Sequence, residues 1–212
     1  MGQKVNPIGF RIGQVQTWQS RWFAEKREYP KNLLEDLRIR KFLFEKLKLA
    51  GIIEVDIDRL IHKMKITIHV TRPGVVIGRG GSGLEELKKM LVILISLPEP
   101  EKNVQIEVVE VSNPELSAIL VSQRIAGELE RRLPHRRVVR RAIERVMGAG
   151  ALGVKILLSG RIAGTEISRR EKFSQGKLPL STIRANIDFA KNAVLTKSGF
   201  IGVKVWIYKK GE

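Results

Sequence analysis

Between Val76 and Leu84 the chain reads VIGRGGSGL, four glycines in nine residues with one arginine among them. Glycine at that density is costly inside a helix or strand, so the stretch must be a turn, and its flanks say what it joins. Upstream, Ile53, Val55 and Ile57 alternate with Glu54, Asp56 and Asp58, and Met64, Ile66, Ile68 and Val70 alternate with Lys65, Thr67 and His69. Both runs predict half-buried strands. Downstream, Leu84, Leu87, Leu91 and Leu94 fall at helical steps, Ser82 with Glu85 predicts a capping box, and Pro98 and Pro100 stop the helix.

Gly78 to Gly83 formally fits G-x-G-x-x-G, a weak dinucleotide signal by itself. That reading needs the loop directly after the first parallel strand of a crossover, whereas the two preceding strands read as an antiparallel pair and Pro73-Gly74 intervenes. A Walker A loop is excluded because Leu84 stands where lysine is required. Two readings survive: a turn serving only close helix packing, or a loop whose backbone amides accept a phosphodiester at a helix start. Arg79 at the loop tip and the basic chain favour the second.

The remaining pattern is mixed. Residues 1–13 carry Gly, Asn and Pro without a period and predict an irregular arm. Asn32 to Leu49 predicts a helix burying Leu33, Leu34, Leu37, Leu43, Phe44 and Leu47, capped by Gly51. Val104, Ile106 and Val108 predict a strand, with a phase slip at Val109 that predicts a bulge. Asn113-Pro114 predicts a helix start, and a further helix after Pro134 buries Val138, Val139, Ala142, Ile143 and Val146. Strands follow at Val154 to Leu158, Ile183 to Phe189 and Val203 to Ile207, with a polar stretch through Gly176. The expected organisation is an arm over 1–16, one α+β unit over 17–111 and a second over 112–212.

Charge then points to the partner. The chain holds 39 Lys or Arg against 22 Asp or Glu, a formal net charge of +17, in 212 residues of otherwise globular composition. The excess is +5 over residues 1–110 and +12 over 111–212. Uncompensated charge of this size predicts a polyanionic partner. Residues 90–97 form the longest apolar run, far short of the roughly 20 a membrane helix needs, so nucleic acid is the expected polyanion and no membrane is. The lack of an apolar leader and of any cysteine predicts a soluble protein of a reducing compartment.

Arg131, Arg132, Arg136, Arg137, Arg140 and Arg141 place six guanidinium groups in eleven residues with no acid among them. On a helix, Arg136 with Arg140 and Arg137 with Arg141 stand at i, i+4 and repel. Either Glu128, Glu130 and Glu144 balance this face, or an external phosphate backbone does. The acids flank the run without interrupting it, which favours the backbone. No catalytic constellation emerges. His62, His69 and His135 are scattered without metal-ligand spacing, and Asp56 and Asp58 read as a solvated strand edge. Twelve aromatic residues are too few for a broad stacking platform. No metal, cofactor or small-molecule substrate is expected.

The nine residues Val76 to Leu84 resemble the KH signature V-I-G-x-x-G-x-x-[IL], and the element order resembles its type II, prokaryotic form. By this resemblance Ile77, Gly78, Arg79, Gly80 and Gly81 form an RNA-binding loop, with Ile77 and Leu84 as apolar wall and core. Six separated stretches widen the resemblance: MGQKVNPIGFRIG, RPGVVIGRGG, LERR, SGRIAGTEISRRE, LPLSTIRANIDF and GVKVWI. Together they resemble the bacterial S-three family of small-subunit ribosomal proteins over nearly the whole length. The family implies an α+β fold, a type II KH domain followed by a two-layer domain of two helices on a mainly antiparallel sheet. It implies a non-enzymatic constituent of the small-subunit head, cytoplasmic or organellar, bound to ribosomal RNA and neighbouring ribosomal proteins. It further implies contact with messenger RNA where it enters the ribosome and help in unwinding it, through Arg136, Arg137 and Arg140 with Arg131 and Arg132 nearby. Ser181 and Lys172 depart from the histidine and aromatic residue common at those places. The competing reading is an extraribosomal KH-type assembly or transcription factor.

Overall fold

A computed structural model describes residues 4–60, 63–95 and 103–210; His62, Pro98 and Pro100 lie outside the described residues. The chain forms two compact units, one of residues 18–112, the other of residues 1–17 together with 113–212.

The first unit runs β1 (Ser20–Arg21), α2 (Tyr29–Lys46), β2 (Ile52–Arg59), β3 (Met64–Val70), α3 (Pro73–Ile77), α4 (Ser82–Leu94) and β4 (Val104–Glu110). Its sheet has the order β1-β2-β3-β4, with β2 and β3 antiparallel and β3 and β4 parallel. A parallel pair needs a crossover connection, and α3, the glycine loop and α4 supply it. The core joins Ile39, Leu43, Val76, Leu87 and Leu91 of the helices to Val55, Ile57, Ile66 and Ile68 of the strands.

Three details correct the sequence expectation here. Leu33, Leu34 and Leu37 are 41%, 52% and 53% exposed, and the buried stripe of α2 is Asp36, Ile39 and Leu43. Asp36 rotates the helix because its fully buried carboxylate accepts from Arg59 Nε at 2.9 Å and NH2 at 2.6 Å, Trp22 Nε1 at 2.8 Å and Ser20 Oγ at 3.0 Å. Val109 marks no bulge: β3 and β4 pair without a break from Met64 with Val104 to Val70 with Glu110, and the irregularity lies in β2 between Ile52 and Glu54. On an edge strand an outward valine needs no bulge to tolerate it. Asp56 and Asp58 are not a solvated edge either, because β1 pairs beside β2 and Arg21 Nε donates to Asp58 at 2.7 Å, with Asp56 3.8 Å from Arg21 NH2.

The second unit runs α1 (Pro7–Arg11), α5 (Ala118–Glu130), α6 (His135–Gly148), β5 (Gly153–Gly160), β6 (Arg169–Gly176), β7 (Ile187–Thr196) and β8 (Gly199–Tyr208). The sheet order is β6-β5-β8-β7, antiparallel throughout. Helices α5 and α6 cover one face, packing on Val154, Ile156, Leu158, Val203, Val205 and Ile207. All five expected apolar residues of α6 are buried.

The arm is not irregular: Asn6 caps the short helix α1 through Ile8 N–H, and Arg11 is 1% exposed. Its guanidinium donates to the carbonyls of Pro7, Leu180, Thr182 and Ala185 at 2.8 to 3.0 Å, and burial pushes it below its ordinary pKa. The Nε and NH2 groups meet carbonyls of the 179–185 loop, which ties the arm to this unit. Helix α5 starts at Ala118, not at Asn113; Pro114–Leu116 is one 3₁₀ turn, and Asp188 of β7 accepts from Ala118 N–H at 3.0 Å. Strand β6 occupies the stretch read as polar, and β7 begins at Ile187 rather than Ile183. An edge strand such as β6 buries too little to need clear alternation.

Replacing Asp36 by Ala strands the Arg59 guanidinium in the first core, where it keeps only Glu35 and Asn32. A loss of about 3–5 kcal/mol in urea unfolding is expected, the range for breaking a buried pair from one side; a loss under about 1 kcal/mol would show that Asp36 does not anchor α2.

Candidate nucleic-acid interface

Two basic features stand out, one in each unit. In the first, Ile77 ends α3 at 40% exposure, as an apolar wall beside the loop, and Gly78 follows at φ 70° with its N–H on Gly74 O. Gly80 and Gly81 also take positive φ, 62° and 85°, so three of four loop residues occupy a region open to glycine. Arg79 stands exposed between them and makes no ion pair among the described residues. Close packing is also real: a Cβ on Gly83 would lie 2.8 Å from Val76 O, and one on Gly78 2.9 Å from Gly83 N. The loop therefore lets α3 and α4 approach closely and presents an exposed arginine beside the amides that begin α4. That geometry can receive a phosphate. The capping box does not form. Gly81, left-handed, is the N-cap; Ser82 is already helical and donates to Arg79 O at 2.9 Å.

In the second unit the six arginines share one turn and one helix face. Arg131 caps α5 and Arg132 follows at φ 60°. Arg132 N–H donates to Leu129 O at 2.9 Å and Leu133 N–H to Glu128 O at 3.2 Å, a Schellman ending with arginine where glycine is usual. Pro134 then starts α6, whose first turn holds Arg136 and Arg137 and no acid. At about 100° per residue, Arg136, Arg140, Arg137 and Arg141 span about 140° of arc, opposite the buried valines. Arg131, Arg132, Arg136, Arg137 and Arg140 are exposed and Arg141 is half-buried. Among the described residues none of the six has a side-chain ion pair, and Glu128, Glu130 and Glu144 pair with none of them. Internal balance is thus not what holds this face together.

A cleft of about 380 Å³ opens beside the turn, lined among others by Arg132, His135, Arg161, Ala163, Lys197 and Ser198. Arg132 and Ala163 are the two non-glycine residues with positive φ among the described residues, and both line it. His135 is held by Glu171 at 2.9 Å, and Glu171 also takes Arg169 at 2.8 Å. Sequence reasoning gave Arg161 and Lys197 no role. They arrive from separate loops, and no spacing along the chain announces that. His69 lies 3.8 Å from Asp56, and no group of metal-binding side chains occurs among the described residues. No described helix is long and apolar enough to cross a membrane.

A KH-type crossover loop on one α+β unit, joined in sequence to a helix-covered antiparallel sheet with an arginine face, defines a two-unit RNA-binding protein of the KH class. A family model for the KH domain matches residues 38–116, and one for the C-terminal domain of ribosomal protein S3 matches residues 125–207. The small ribosomal subunit protein uS3 of Persephonella marina is 50% identical over 209 residues, 99% of this chain and 90% of that relative. Proteins of the same name from Clostridium perfringens and Desulforamulus reducens are 47% and 46% identical, over 98% and 99% of this chain and 92% of each relative. The chain belongs to the uS3 family of small-subunit ribosomal proteins, a structural and non-enzymatic family.

Two substitutions separate backbone geometry from charge. Arg132→Gly relieves a left-handed arginine and is expected to raise stability in urea unfolding by about 1 kcal/mol while removing one cation from the turn; a destabilised variant would show that the side chain supports the fold. Gly83→Ala drives a methyl group into the Val76 carbonyl and is expected to cost about 1–3 kcal/mol in the same measurement.

Proposed function

We propose that the chain is a constituent of the small-subunit head that binds ribosomal RNA and meets neighbouring ribosomal proteins there. In this reading, Arg136, Arg137 and Arg140 face the channel through which messenger RNA enters, with Arg131, Arg132 and Arg141 beside them. The observation that carries it is the exposed arginine face of α6, whose guanidinium groups make no ion pair among the described residues, not even with Glu144 on the same face. Guanidinium groups grip phosphate oxygens in pairs without reading bases, so such a face holds separated strands while ribosomal translocation supplies the work. The loop from Ile77 to Gly81 adds a second, smaller backbone contact through its amides and Arg79.

Replacing Arg136, Arg137 and Arg140 by Ala is expected to leave subunit assembly intact and to slow translation through a stable messenger hairpin. Each phosphate contact removed lowers the salt slope of RNA affinity by about one unit. Hairpin transit at the wild-type rate would overturn the channel role. Sucrose-gradient sedimentation decides the broader point: retention on small subunits at high salt is expected, and release would favour a free KH factor.

A further inference from the structure

The outer face of the second sheet, opposite α5 and α6, segregates charge more sharply than the arginine helix does. The strand registers settle which side chains share it. Lys172, Leu157, Lys204 and Lys191 form one row across β6-β5-β8-β7, and Arg170, Ser159, Gly202 and Ala193 form the next. At about 4.8 Å between strands, the three lysines of the first row span about 14 Å. Lys155 stands on the same face with its Nζ 4.9 Å from the Trp206 ring centroid. Burial, then the nearby Lys4 and Lys172, push the Lys155 ammonium below its ordinary pKa. Positive groups converge there with nothing negative among them.

The carboxylates lie elsewhere. Glu171 and Asp188 alternate to the helix-covered face, where they hold His135, Arg169, Lys209 and the α5 amide. Glu115 pairs with Arg124; Glu128, Glu130 and Glu144 ride on α5 and α6, and Glu166 stands in the turn before β6. No acidic residue of the four strands points outward. Lys172, Lys191, Lys204 and Arg170 make no ion pair among the described residues.

The face is also shaped. Trp206, Ile187 and Phe189 at one end are covered with Leu178, Leu180 and Ala185. At the other end Leu195 and Phe200 face each other in register, 63% and 68% exposed. Between these ends the floor is Ser159, Gly202 and Ala193. A Cβ on Gly202 would lie 2.8 Å from Ser159 Oγ, so glycine there leaves room for the serine hydroxyl on the floor. An open sheet face with cations across it and one aromatic ring standing free is suited to an unpaired nucleic acid strand, phosphates on the cations and a base on the ring.

We propose that this face binds an unpaired RNA segment, its phosphates on Lys172, Lys204 and Lys191 and a base stacked on Phe200. The proposal rests on the RNA-binding reading of the chain but not on the role of α6. A neighbouring protein would need an acidic surface to cover the lysines and would gain nothing from the flat, small-residue floor.

The test uses the full chain with Arg136, Arg137 and Arg140 already changed to Gln, so that α6 does not mask the sheet. Fluorescence anisotropy of a labelled short oligouridylate is followed over a range of KCl, with a labelled RNA duplex in parallel. Changing Lys172, Lys191 and Lys204 to Gln is expected to lower the salt slope by about two units, at about 0.7 per single-strand phosphate. Phe200→Leu is expected to weaken oligouridylate binding about tenfold with the slope and duplex binding unchanged. Far-ultraviolet circular dichroism of each variant checks that the fold is kept. An unchanged slope in the lysine variant overturns the proposal, as does unchanged affinity in Phe200→Leu. Normal RNA binding by both, with loss of a neighbouring ribosomal protein from reconstituted subunits, would make the face a protein interface. Hairpin transit reads the helix and oligouridylate binding reads the sheet, so either assignment can fail alone.

Discussion

A chain with seventeen more cations than anions has few carboxylates to spare, and where they go governs both units. Asp36 and Glu35 are used on Arg59, Asp58 on Arg21, Glu171 on His135 and Arg169, and Asp188 on Lys209 and the start of α5. Among the described residues Arg11 receives no carboxylate; main-chain carbonyls take its donors instead. Each of these basic groups is buried, half-buried or fixed beside a strand, where an unmatched polar or charged group would be expensive. The surfaces left over, the arginine face of α6 and the outer face of the second sheet, stay positive because the remaining carboxylates make no ion pair with them among the described residues. Inside, charge is matched for folding; on these two outer faces it is left unpaired among the described residues.

Under the proposed RNA contact, the arginine turn sets fold against binding at one residue. A Schellman ending with glycine at position 132 would be easier to fold, yet the chain carries arginine there at φ 60°. The next residues open α6 with cations at the end of the helix dipole that disfavours them. Both features raise the energy of the free protein. Both fall in cost when a phosphate backbone lies against the turn, since an anion satisfies the helix start and the guanidinium groups together.

Much of this was legible along the chain. Strands β2 and β3, the buried residues of α6 and the glycine loop followed from period and spacing, because each buries one clean face. Leu33, Leu34 and Leu37 misled because a carboxylate, Asp36, begins the buried stripe, and its partner Arg59 lies 23 residues away. Strand β6 was hidden because an edge strand with one open face needs no apolar alternation. The helical arm was hidden because its anchor is a single arginine bonded to carbonyls more than 160 residues distant.

Sequence alone determined the local elements, the RNA partner class and the six arginines, since periodicity, glycine geometry and net charge are properties of neighbours along the chain. Tertiary structure decided which cations are free. Register placed Lys172, Lys204 and Lys191 in one row and turned Glu171 and Asp188 to the opposite face. A two-residue alternation assigns faces only after strands pair, and the pairing of β5 with β8 joins residues about fifty positions apart. No reading of neighbours supplies that contact; burial of the shared core does.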